Sequence, residues 1–152
     1  MRGCLSAIVG LTIFLGIIDA IVLVTGEHDD ERLSVSEYNR QWKGQVSVIA
    51  SEFEQATGQM RNAMAGNSNA KSTVTESAKD VQRAYRQIST IEPPYTQKSF
   101  HRELLTAATV CNTGATSLLD LAETNFNDDL LFDNAVGLMN LCATHLENVL
   151  AR

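Results

Sequence analysis

The sequence predicts an all-α fold: a single apolar N-terminal helix followed by an up-down-up-down antiparallel four-helix bundle. Three observations carry this reading. Residues 5–24 are almost wholly apolar, with one formal charge, Asp19, in twenty positions. Beyond them, apolar side chains recur at steps of three and four through four long stretches, the spacing of an amphipathic helix. The two prolines stand side by side at Pro93 and Pro94, and there is no Asn-Gly or Asp-Gly hairpin signal, which argues against a sandwich or barrel.

The apolar stretch comes first. At about 1.5 Å of rise per residue, twenty residues make a helix of roughly 30 Å, the hydrocarbon thickness of a bilayer. This divides the chain into a transmembrane anchor at 1–26, an acidic juxtamembrane linker at 27–32 and a helical domain at 33–152. Three readings of the N-terminus compete: an uncleaved anchor, a secretory signal peptide cut near Val24-Thr25-Gly26, and an amphipathic or buried core helix. The run is longer than the roughly 7–15 residues of a signal-peptide core, and its apolarity on all sides disfavours a core helix, so the anchor is preferred. Cys4 precedes the run instead of following it, which is the wrong order for a lipoprotein. Arg2 lies before the span and Glu27-His28-Asp29-Asp30-Glu31 after it, so the positive-inside rule places the N-terminus in the cytoplasm and the domain in the periplasm or at the cell surface.

Thr12, Gly16 and Ala20 repeat every four residues within the span, forming a stripe of small side chains that Asp19 borders. A carboxyl at that depth costs about 2.5–3.5 kcal/mol on insertion scales unless it is protonated or paired. One reading is a helix–helix contact, with self-association or a membrane-protein partner supplying a polar group. The other is a neutral acid lying shallow enough to be tolerated.

The first helix of the domain starts at Leu33. Val35, Tyr38, Trp42, Ile49, Phe53, Ala56, Met60 and Ala63 mark its apolar stripe, and Ser34 with Glu37 has capping-box spacing. Val46-Ser47-Val48-Ile49 reads as a strand in isolation, but the longer helical register overrides it. Gly66-Asn67-Ser68-Asn69 ends this helix. The second is expected from Ser72 or Thr73, where Thr73 and Glu76 repeat the capping-box spacing, and Pro93-Pro94 ends it because proline lacks the amide donor. A third runs from Tyr95 or Thr96 to Thr124, and a fourth, with a wide apolar face, from Asp128 to Ala151. Four such stripes joined by short polar loops are buried most economically in an antiparallel bundle.

In a helical hairpin, residues equidistant from the loop centre lie level. Cys111 and Cys142 average to position 126.5, inside Asn125-Phe126-Asn127, and both fall on apolar seams. They are therefore expected to face each other and, in an oxidising compartment, to form a disulfide. The alternative is a pair of buried free thiols behaving as small hydrophobes.

No catalytic, metal or cofactor site emerges. His101 and His145 lie 25.5 and 18.5 residues from the same loop centre, a mismatch of roughly 10 Å along the axis. No Glu-x-x-His pairs, Cys-x-x-Cys-His, Gly-x-Ser-x-Gly turn or phosphate-binding Gly-rich loop occurs. The acidic runs at 27–31 and 127–129 lack the glycine-centred frame of a calcium loop, and the second reads as a helix cap. Tyr38, Trp42, Phe53 and Tyr85 lie on apolar stripes and read as core. A net charge of −6, with twelve basic residues scattered among eighteen acids, argues against nucleic-acid binding.

Ile91-Glu92-Pro93-Pro94, followed by Phe100-His101 and Leu104-Leu105, resembles a group of small bacterial cell-surface proteins of uncharacterised function. The resemblance covers residues 85–122 and implies an N-terminal anchor ahead of an extracytoplasmic helical bundle. It brings no catalytic residues.

Two functions of different class fit these features. One is a non-enzymatic, membrane-anchored interaction module or accessory subunit of a larger membrane complex. The other is a ligand-sensing bundle that signals through a partner.

Overall fold

The computed structural model describes residues 33–151, and within them every regular element is helical. Helix α1 spans Val35–Met64, α2 Ser68–Thr90, α3 Lys98–Glu123 and α4 Asp129–Leu150, with a 3₁₀ turn at Tyr95–Gln97 leading into α3. None of these helices is long and apolar enough to cross a membrane. The segment 5–24, with Thr12, Gly16, Asp19 and Ala20, lies outside the described residues, as do Cys4 and the acidic linker.

Helices α1, α2 and α4 begin where a side chain satisfies a free backbone amide, whereas Gln97 ahead of α3 makes no such cap and the 3₁₀ turn leads the chain in. Ser34 Oγ accepts from the Glu37 amide at 3.2 Å. Only half of the expected capping box forms, because the Glu37 carboxylate bonds Arg40 at 2.7 Å and Gln41 at 3.1 Å. Asp128 caps α4 by accepting from the Leu131 amide at 2.9 Å. Helix α2 departs from expectation: it starts at Ser68, capped by Asn67, whose side chain accepts from the Ala70 amide at 3.0 Å. Thr73 sits within the helix and donates back to the Asn69 carbonyl. Thr-x-x-Glu spacing recurs inside helices, and here the earlier Asn prevails because Gly66 at φ +91° has already turned the chain.

The helices pack in chain order, α1 on α2, α2 on α3 and α3 on α4, whereas the α1 and α4 backbones come close at few points. Contacts between elements show that consecutive helices alternate in direction. Tyr38 and His101 meet near the starts of α1 and α3, and Lys71 at the start of α2 reaches Asn125 just past the end of α3. The core follows seven-residue steps. Trp42, Ile49, Ala56 and Ala63 continue through Ala70, Ser77, Ala84 and Ile91, all buried, and Leu104, Cys111 and Leu118 on α3 face Ala135, Cys142 and Val149 on α4. A seven-residue repeat corresponds to 3.5 residues per turn, the register of coiled-coil-like bundle packing. Val46 is buried within α1, so the four-residue strand signal yields to the helix around it.

Candidate functional site

Two places in the fold concentrate chemistry, and both tie helices together. The first lies at mid-height between α3 and α4. The backbones run close at Gly114: a Cβ at this position would stand 3.5 Å from the Leu138 backbone carbon and Cβ and from the Met139 nitrogen, ordinary contact distance. Ala107, Ala108 and Ala115, small side chains on the same stretch of α3, are buried as well. One turn from Gly114, Cys111 and Cys142 have Cα atoms 4.7 Å apart and sulfurs 2.09 Å apart, the distance of a disulfide bond. Both are fully buried. The hairpin register read from the loop centre is therefore the register of the fold, and the same pairing brings Asn134 Nδ2 to donate to Ser117 Oγ at 3.2 Å.

The turn that sets this register places two successive non-glycine residues in the left-handed region, Asn125 at φ 56° and Phe126 at φ 61°. Asn tolerates that conformation well, and a bulky Phe rarely adopts it. Burial of the Phe126 ring and its amide bond to the Leu121 carbonyl hold it there. Lys71 Nζ clamps the turn from α2, bonding the Asn125 side-chain oxygen at 2.7 Å and its carbonyl at 3.1 Å.

The second place is the end of the bundle nearest the Pro93-Pro94 break. Tyr38 Oη and His101 Nδ1 lie 3.1 Å apart, with both residues buried. With the ring proton on Nε2, the hydroxyl donates to Nδ1. Burial pushes the Tyr38 hydroxyl well above the usual phenol range and holds the His101 imidazole below its ordinary value, so both stay neutral at pH 7. Trp42 stacks obliquely on Phe100 with centroids 5.1 Å apart, and its indole nitrogen donates to Asn39 at 3.0 Å. The aromatic side chains of α1 thus key α3 at this end.

Tyr38, Trp42 and Phe53 are core, as expected, and Tyr85 packs partly buried against it. The bond joining His101 to Tyr38 is absent from the sequence-level reading, although His101 stands three residues before Leu104 on the α3 stripe. Among the described residues, no group of three His, Cys, Asp or Glu side chains is arranged to hold a metal ion. The Ile91-Glu92-Pro93-Pro94 stretch forms an extended break between α2 and the 3₁₀ turn, and Phe100 and His101 open α3. No protein-family model, curated protein or solved structure matches the chain.

Proposed function

We propose that this protein is a non-enzymatic, membrane-anchored helical bundle on the extracytoplasmic side. In this reading it serves as an interaction module or as an accessory subunit of a larger membrane complex. The observation that carries the reading is the buried cysteine pair at disulfide distance in a domain that follows a bilayer-length apolar run. A disulfide persists in an oxidising compartment, and Arg2 ahead of the run with acids after it orients the domain toward one. Two polar contacts between helices serve structure: Tyr38 bonds His101 and Asn134 bonds Ser117. Helix-to-helix association within the bilayer enters through Thr12, Gly16, Asp19 and Ala20.

Purification of the full chain in mild detergent tests the reading. The expected result is co-purification with a membrane protein, or self-association, that Asp19→Leu weakens at least several-fold. A monomer with no companion, unchanged by Asp19→Leu, contradicts it.

A further inference from the structure

Lys and Arg are distributed unevenly along the described chain, and the fold turns that unevenness into two differently charged sides. Residues 35–102 hold nine Lys and Arg against six Asp and Glu, a net of +3. Residues 103–151, which make up most of α3 and all of α4, hold no Lys or Arg and seven Asp and Glu, a net of −7. With Lys98 and Arg102 at the start of α3, the disulfide-linked hairpin over residues 98–150 carries a net charge of −5, whereas α1 and α2 form a mildly basic pair of net +2. The hairpin's acids gather at its two ends, Asp120, Glu123, Asp128, Asp129 and Asp133 around the α3–α4 turn and Glu103 and Glu147 at the other.

The same hairpin exposes apolar surface. Leu130 is 79% and Leu141 46% exposed. Eleven residues separate them, three helical turns, so they share one stripe of α4. Asn134 lies on that stripe and bonds Ser117 of α3, which sets the stripe along the outer flank of the α3–α4 pair. Leu138 and Val110, both half-buried, continue the apolar surface toward the junction of the two helices. The bundle's own core accounts for neither exposed leucine.

We propose that this flank docks a cationic amphipathic helix of a partner protein, with its apolar stripe on Leu130 and Leu141 and its Lys and Arg facing the hairpin's acids. Charge complementarity selects this occupant. An anionic lipid surface is repelled by a hairpin of net charge −5. A second copy offers the α1–α2 side, where Arg40, Lys79 and Arg83 already pair with acids three residues away on their own helices. An i, i+3, i+4, i+7 leucine stripe flanked by lysines supplies both the apolar anchors and the opposite charge. The proposal rests on the interaction-module reading and names its surface, but it does not depend on the anchor.

The test uses the full chain in zwitterionic nanodiscs and an 18-residue Leu/Lys helical peptide carrying a benzophenone, with adducts mapped by mass spectrometry. A Leu/Glu peptide of the same pattern serves as the control. Expected are adducts on residues 129–145 that fall at least tenfold with Leu130→Ser/Leu141→Ser and in 0.5 M NaCl, with none from the Leu/Glu peptide. Adducts on α1 and α2, equal labelling of the serine variant, or equal labelling by the two peptides overturns the proposal. So does self-association of the chain alone that Leu130→Ser/Leu141→Ser abolishes, since the occupant is then a second copy. Carbonate extraction from membranes is scored separately: a chain that extracts fully yet cross-links the Leu/Lys peptide refutes the anchor and leaves the docking surface standing.

Discussion

Tyr38 and His101 show how one buried pair couples a side chain to the stability of the fold. The imidazole is held neutral by burial, below its ordinary value of 6.5. Its contribution is complete above the unfolded-state value and is lost as pH falls below 6.5 toward the depressed folded value, because the unfolded chain takes up the proton first. Thermal melts of the full chain are therefore expected to show a lower Tm at pH 5 than at pH 7.5, and His101→Gln should flatten that difference. Tyr38→Phe keeps the ring and removes the hydroxyl, leaving Nδ1 buried without a donor, for a cost of about 1–3 kcal/mol in denaturant unfolding. Ser77 is a contrasting case. Its hydroxyl is buried with no partner, at a heptad position otherwise filled by Ala70 and Ala84. Ser77→Ala keeps the packing and removes an unsatisfied polar atom, so it should leave stability unchanged or raise it by about 1 kcal/mol.

Between elements, the spacing of small residues decides how closely helices approach. Gly114 meets α4 at ordinary van der Waals distance from a built Cβ, so Gly114→Ala fits and gains helix propensity of roughly 0.5–1 kcal/mol. Gly114→Leu has no room and is expected to cost at least about 1–3 kcal/mol while straining the cysteine pair beside it. The two variants together, compared by chemical denaturation, separate close approach from propensity. The cysteine pair was legible in the sequence because hairpin register is arithmetic: a short turn fixes the level of every residue on both arms, and Cys111 and Cys142 are equidistant from it. The start of α2 was not legible, because Asn67 and Thr73 both offer cap chemistry and only the turn at Gly66 decides between them. Nor was the left-handed pair Asn125-Phe126, since Phe carries no signal for that conformation and is held there by burial. The helices themselves were readable because their stripes run far longer than any competing strand pattern, Val46-Ser47-Val48-Ile49 included.

At the scale of the whole molecule, α1 and α2 carry seven of the nine Lys and Arg of residues 35–102, three of them paired with acids on their own helices. The hairpin of α3 and α4 carries acids and bare leucines, and the cysteine pair cross-links that hairpin one turn from Gly114. Closing a loop with a separation of 31 residues contributes about 3–4 kcal/mol in the chain-entropy model. On the proposed docking reading, such a link holds the hairpin's outer face rigid. The location of the domain and the state of this pair stand or fall together. The most direct measurement is therefore the redox state of the cysteines in living cells. Cells expressing the full chain are quenched in acid, free thiols are blocked under denaturing conditions, and the protein is then reduced and treated with a polyethylene-glycol maleimide. The account predicts a shift of two maleimide units, reduced to none or to a residual intermolecular species by Cys111→Ser. A chain that takes up no maleimide has both thiols free in the cell, which contradicts the disulfide and, with it, the extracytoplasmic placement of the bundle.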